Sequence, residues 1–187
     1  DLKTSCIVVA SGAKLDLDVV CPDEFYPMTS KAFFNHHDLR QLFGGAAVDL
    51  AFLRGPSSYD LVLEEFLELE RSVGPRTVLC VEGTYPVEAI SAHRRKRAEH
   101  WVGDRWKLVA ILKAYRPDLY IQTLPAAPSG LTLISCLDPE STVLSERFDE
   151  ISHAFAPLGY DYLAVDPASV LNIVPCHVED ALTRIRK

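Results

Sequence analysis

The sequence lacks a long hydrophobic run and a basic excess, and each absence excludes a class of protein. No apolar stretch approaches the roughly 18 residues that a membrane-spanning helix needs, so no membrane partner is expected. The formal net charge is -7. A general nucleic-acid binder carries an excess of lysine and arginine, so nucleic acid is not expected as a partner either.

Cysteine is also sparse and scattered. The five cysteines are odd in number and no two of them stand at the CxxC spacing. A disulfide framework or a zinc site is therefore not expected, and no metal ion is predicted. Because no signal-peptide pattern is present either, a reducing cytoplasm is the simplest location.

Methionine occurs once, as Met28, and the chain begins at Asp1. Because Asp1 is not a translational start, we expect further sequence upstream of it. The 187 residues are 48% hydrophobic and 24% charged, which is the balance of a globular protein with a real core.

Apolar segments of strand and helix length alternate along the chain. Strands are predicted at residues 6–10, 17–21 or 24–28, 48–53, 77–81, 119–124 and 131–137. Helices are predicted at residues 30–43, 58–73, 104–115, 142–155 and 178–186. Strands that are apolar along their whole length and alternate with helices indicate a parallel sheet covered on both faces.

The predicted fold is therefore a doubly wound α/β domain. Only a short loop joins the last two strands, so they are expected to form an antiparallel hairpin at the end of a mostly parallel sheet. We expect one domain over residues 1–156. Residues 157–187 would form a C-terminal extension packed on the same domain.

Five motifs in a fixed order carry a resemblance to a known family. They occupy residues 25–34, 48–55 (Val-Asp-Leu-Ala-Phe-Leu-Arg-Gly), 59–70, 101–107 (Trp-Val-Gly-Asp-Arg-Trp-Lys), and 116–119 with 129–131. Residues 24–138 thereby resemble the later half of the Rossmann-like class I S-adenosylmethionine-dependent methyltransferases. The matching branch has a fourth strand that usually reads Asp-Leu-Val-Phe-Ile-Asp-Gly, followed by a histidine.

The resemblance implies S-adenosyl-L-methionine as the cofactor, at the carboxyl ends of the central strands. It assigns cofactor contacts to Ser11, Gly12, Thr29, Ser30, Leu53, Arg54 and Gly55. Glu82, at the end of a central strand, is the candidate for acid–base catalysis. Substrate or lid positions fall on Tyr59, His93, Arg94, Arg95, His100, Trp101, Asp104 and Trp106.

The chain departs from the family pattern at the cofactor motifs. No glycine-rich GxGxG-like turn occurs in it, so the family's first strand would lie upstream of Asp1. Ser11 and Gly12 stand where an acidic residue is expected, and Arg54 stands where the aspartate after the fourth strand is usual. Arginine there would repel the sulfonium cation, or recognise a carboxylate or phosphate, or simply lie on the surface of a degenerated loop.

Three other features each have a structural alternative. The basic cluster at residues 93–100 would hold a phosphate-bearing substrate or be a solvated, mobile face. Trp101, Trp106 and Tyr59 would stack on a planar ligand or pack a lid against the sheet. Asp104 opens a predicted helix, so its carboxylate is expected to cap that helix.

Two classes of function remain open from the sequence. The first is a transferase that methylates an oxygen or nitrogen of a small molecule. The second is a catalytically degenerate module, without cofactor, that serves as a scaffold or binds a protein partner that completes its sheet. The sequence does not decide whether the chain forms an oligomer.

Overall fold

The computed structural model describes residues 5–11 and 22–175. Its contacts divide the chain into two compact units, Asp1–Val48 and Asp49–Lys187. The predicted boundary between a domain at residues 1–156 and an extension at residues 157–187 does not coincide with this division, and it stays a prediction. The predicted strand at residues 17–21, the predicted helix at residues 178–186 and the site residue Gly12 lie outside the described residues.

The first unit contains a small parallel sheet and two short helices. Its elements are β1 (Ile7–Val9), β2 (Glu24–Tyr26), α1 (Ser30–His36) and α2 (Leu39–Leu42). β1 pairs with β2 in parallel, with Ile7 opposite Glu24. The strands predicted at residues 6–10 and 24–28 are confirmed, and both are shorter than expected.

A local capping interaction divides the helix that was predicted over residues 30–43. The Asp38 carboxylate accepts hydrogen bonds from the backbone N–H groups of Arg40 and Gln41, which starts α2 as a new helix. At the start of α1, the Thr29 hydroxyl accepts from the N–H of Ala32 at 3.2 Å, as expected for a cap. The single helix predicted here was therefore wrong.

A four-stranded mixed sheet forms the centre of the second unit. Its strands are β3 (Val48–Leu53), β4 (Val73–Glu82), β5 (Tyr120–Leu124) and β6 (Leu131–Ser135). Their spatial order is β3-β4-β6-β5, and β6 runs antiparallel to both β4 and β5. The predicted antiparallel hairpin is confirmed, and the chain has a mixed α/β fold.

Between residues 49 and 175, six helices accompany this sheet. They are α3 (Tyr59–Glu70), α4 (Trp106–Tyr115), α5 (Val143–Glu146), α6 (Phe148–Phe155), α7 (Tyr160–Val165) and α8 (Pro167–Leu171). Apolar side chains at helical spacing form the core: Val62 and Phe66 of α3 and Leu108 and Ile111 of α4 are fully buried. The two helices contact each other.

Two predicted boundaries differ from the structure. The helix predicted over residues 58–73 ends at Glu70, and β4 already begins at Val73, so Gly74 lies inside the strand rather than at a helix end. The helix predicted over residues 142–155 is divided at Arg147, whose backbone (φ -106°, ψ 15°) is not helical.

The described part of the predicted extension, residues 157–175, packs on the second unit. Leu163 and Leu171 are buried. The Thr123 N–H donates to the carbonyl of Asn172, and the Val174 N–H donates to the carbonyl of Thr123, both at 3.0 Å. These bonds attach the segment after α8 to the edge strand β5. No helix in the described part of the chain has both the length and the apolar character to cross a membrane.

Candidate functional site

A cavity of about 280 Å³ lies at the carboxyl ends of β3 and β4. Arg54, Gly55 and Ser57 follow β3, and Glu82 and Gly83 end β4 and the turn after it. The remaining wall comes from two connecting segments: Pro86, Val87, Ser91, Glu99, His100, Trp101, Val102, Arg105, Pro128 and Ser129. The cavity thus occupies the strand ends where ligands bind in open α/β sheets.

An ion pair joins the two strand ends at this cavity. The Nε atom of Arg54 lies 2.9 Å from Oε2 of Glu82. The Arg54 side chain is 79% exposed and that of Glu82 is 25% exposed. Arg54 therefore contacts the carboxylate that was predicted as the candidate for acid–base catalysis.

Arg105 holds the loops around the cavity together. Its guanidinium donates from Nε to the carbonyl of Pro56 at 3.0 Å, from Nη2 to that of Gly55 at 2.5 Å, and from Nη1 to that of Glu82. Burial lowers the pKa of Arg105. Because its three donating nitrogens are all bonded to carbonyls after β3 and β4, this residue is a structural support for the site.

The segment that covers the cavity is attached to the loop after β3 by a close backbone approach. Gly103 has a φ of +69°, and a Cβ atom there would lie 1.9 Å from the carbonyl oxygen of Ser57. The N–H groups of Val102 and Gly103 both donate to the carbonyl of Ser91. Trp101 is held by its indole N–H, which donates to the carbonyl of His93.

Asp104 caps a helix, but not the helix that it was expected to cap. Its Oδ1 atom accepts from the backbone N–H of Tyr59, the first residue of α3, at 3.0 Å. Its Oδ2 atom accepts from Lys107 at 3.1 Å and from Arg94 at 3.4 Å. The carboxylate is buried, and the cap of α4 has no side-chain hydrogen bond, so the expectation of a cap on α4 was wrong.

Unlike the exposed residues around it in the basic cluster, Arg94 forms ion pairs with Asp60 and Asp104. Its Nη2 atom lies 2.6 Å from Asp60, and its guanidinium lies 5.3 Å from the centre of the Tyr59 ring. Burial opposes the charge of Asp60, but the hydrogen bonds from Arg94, Ser58 and the Leu61 backbone, together with the charge of Arg94, outweigh burial and lower the pKa of Asp60. Burial raises the pKa of Tyr59.

The structure brings only some of the predicted site residues together. Those that line the cavity are Arg54, Gly55, Glu82, His100 and Trp101. Others of the second unit lie outside its lining: Leu53, Tyr59, His93, Arg94, Arg95, Asp104 and Trp106. Ser11, Thr29 and Ser30 belong to the first unit, where Thr29 caps α1.

The two tryptophans have different environments. Trp106 is 1% exposed within α4 and stacks on Tyr162, with the ring centres 6.1 Å apart. It packs the core, which was the structural alternative for this residue. Trp101 is half-buried and lines the cavity, so it is the tryptophan that a bound molecule would contact.

Several lining residues were not predicted from the sequence. Arg105 lies in the motif at residues 101–107, and nothing in its spacing indicates three carbonyl partners. Ser57, Ser91, Glu99 and Ser129 are single polar residues in loops, which carry no periodic signal. Among residues 5–11 and 22–175, no group of three or more His, Cys, Asp or Glu side chains is placed to hold a metal ion.

Comparisons with protein-family models, with curated proteins and with solved structures find no match for this chain. The family resemblance therefore rests on the motifs quoted above.

Proposed function

We propose that this chain is a catalytically degenerate methyltransferase-fold module, whose cleft has lost the features that hold S-adenosylmethionine and which acts as a binding or scaffold subunit. The observation that carries the proposal is the ion pair between Arg54 and Glu82. It places a cation at the strand end where the resemblance implies an aspartate.

The residues of the cleft do not fit the cofactor. S-adenosylmethionine carries a sulfonium and an ammonium cation against one carboxylate, so Arg54 adds positive charge beside a ligand that is already net positive. Glu82, which would offset them, is already paired with Arg54. At about 280 Å³ the cavity is also at the small end of ligand sites, which begin at about 300 Å³.

A partner that adds a strand fits the architecture of the second unit. Within the described residues, β3 is an edge of the four-stranded sheet. Its side chains Leu50 and Phe52 are 64% and 58% exposed, and they share one face of the strand because residues two apart point the same way. A further strand beside β3 would cover the open edge and part of this apolar surface.

Methyl transfer to an oxygen or nitrogen of a small molecule is the second candidate. It is favoured by the position of Glu82, which ends β4 at the cleft and is partly accessible to solvent. A carboxylate there is placed to accept a proton from a bound acceptor. Either function is consistent with a cytoplasmic location, since Cys80 and Cys136 are free thiols.

Calorimetric titration of the chain with S-adenosylmethionine distinguishes the two candidates. The degenerate module predicts no heat of binding and no shift in thermal unfolding temperature. The variant Arg54→Asp should gain measurable affinity, because it replaces the repelling cation with a second carboxylate beside Glu82. Arg95→Asp is the matched control, since Arg95 is exposed and does not line the cavity.

Clear binding of the cofactor by the unmodified chain would overturn the proposal in favour of the methyltransferase. If Arg54→Asp and Arg95→Asp behave alike, Arg54 is not the obstacle to the cofactor.

A further inference from the structure

In the cleft, the terminal nitrogens of the Arg54 guanidinium donate no hydrogen bond to any residue that the structure describes. Arg54 contacts Glu82 through Nε, and in the part of the chain that the structure describes no group accepts a hydrogen bond from its Nη1 or Nη2 atom. Arg105 in the same lining differs, because all three of its nitrogens donate to backbone carbonyls. Arg54 is therefore the arginine of this cleft that is free to bind a ligand.

The remaining lining suits an anionic group with a flat body. Ser57 and Ser129 add hydroxyls, His100 adds an imidazole, and Trp101 adds a half-buried aromatic ring. Two carboxylates are also present, Glu82 and Glu99. They are balanced by Arg54 and Arg105, so the cleft has no net negative charge that would select a cation.

We propose that this cleft binds a small molecule through a carboxylate or phosphate group that is held by the terminal nitrogens of Arg54. The inference rests on the proposed function, in which the cleft no longer serves the cofactor. A planar guanidinium presents two parallel N–H donors, which match two oxygens of either anion. The body of the molecule lies against Trp101.

Glu82 is a positioning residue in this site. Its carboxylate oxygen lies 2.9 Å from Nε of Arg54, and in this proposal that contact restrains the guanidinium while the terminal nitrogens hold the ligand. A preorganised arginine loses less conformational freedom on binding than a mobile one, which favours affinity.

Titration of the full chain with inorganic phosphate, benzoate and benzamide tests the site. We expect phosphate or benzoate to bind. Benzamide has the ring of benzoate without its charge, so it should bind about tenfold more weakly than the preferred anion, because one charge-assisted hydrogen-bonded pair is lost. Phosphate and benzoate together show which anion the site prefers.

Two variants locate the binding. Arg54→Gln should weaken binding of the preferred anion by about tenfold or more, because it removes a charged donor pair. Arg95→Gln removes an exposed arginine of the basic cluster outside the cavity and should leave the affinity unchanged. Unaltered circular dichroism shows that each variant is folded.

The inference is overturned if neither phosphate nor benzoate binds. It is also overturned if the two variants weaken binding equally, because that would indicate general attraction of anions to the basic cluster. Loss confined to Arg95→Gln would move the site to that cluster and also overturns it. These results are independent of the titration with S-adenosylmethionine. The anion site can therefore be rejected while the proposed function is retained, and the proposed function can be rejected while the anion site is retained.

Discussion

At the scale of single residues, a buried ion pair lies away from the cleft. Arg116 is almost fully buried and donates from Nη1 to both oxygens of Glu70, at 2.8 and 2.9 Å. Its Nε and Nη2 atoms donate to Asp118. The contact joins the end of α3 to the end of α4 and to the segment that leads into β5.

Glu70→Gln should destabilise the protein by about 2 kcal/mol, because it removes one of two carboxylates that balance a buried guanidinium while keeping the shape of the side chain. The free energy of unfolding from urea titration measures the effect.

Glu68→Gln is a matched control on the same helix. Glu68 pairs with Arg71 at 2.8 Å, but the two side chains are 39% and 63% exposed, so the change should cost less than about 0.5 kcal/mol. Equal losses for the two variants would show that burial adds nothing to the Glu70 contact.

The sequence indicated which residues end the strands, but not how they pair. Arg54 and Glu82 were both predicted at the cleft from the family resemblance, which places the cofactor at the carboxyl ends of the central strands. Their contact depends on how β3 lies beside β4 in the sheet, and no local sequence pattern predicts that arrangement. Arg105 was missed for a related reason, since its partners are carbonyls of segments far away in the sequence.

At the scale of elements, the segment over the cleft depends on one glycine. Gly103 has a backbone conformation that residues with a side chain rarely adopt, and it lies directly against the backbone of Ser57. The contact fixes the segment that carries Trp101 and the start of α4 to the loop after β3.

Gly103→Ala should therefore cost about 3 kcal/mol of stability, from backbone strain and from displacement of the Ser57 carbonyl. Gly44→Ala is the control: Gly44 has a similar φ of +63°, but a Cβ atom there meets nothing within 4 Å. That variant should cost about 1 kcal/mol, the strain alone. Urea titration compares the two, and similar costs would mean that the loop gives way to the added methyl group.

Strands were easier to predict than helix boundaries. Apolar runs placed β3, β4, β5 and β6 within a few residues. For β4, β5 and β6 the reason is burial, whereas β3 is apolar but largely exposed, so the expectation that both faces of every strand are covered was wrong for β3. The breaks at Asp38 and Arg147 were not predicted. Side-chain capping at Asp38 competes locally with helix continuation, and hydrophobic spacing does not register it.

At the scale of the whole molecule, the two units differ in how much core they contain. In the first unit, the described buried apolar residues are Phe33, Leu39 and Val48. The second unit buries most of the apolar side chains of α3, α4, β4, β5 and β6. A unit with little buried apolar surface opens at a lower free energy.

Hydrogen exchange followed by mass spectrometry should show this difference. Peptides from α4, β4 and β6 should retain their amide protons longest, and peptides from β1, β2 and α2 should exchange at least about tenfold faster, a difference of roughly 1.4 kcal/mol in opening free energy. Equal protection in both units would mean that they open together.

The position of β6 between β4 and β5 has a consequence for the order of events during synthesis. β4 leaves the ribosome well before its neighbour, since Glu82 pairs with Leu131. Until the hairpin of β5 and β6 is complete, that side of β4 presents unpaired backbone groups beside an apolar face. Closure of the sheet must wait for a late, non-local pairing, which slows folding and leaves that edge of β4 open to association with other chains in the meantime.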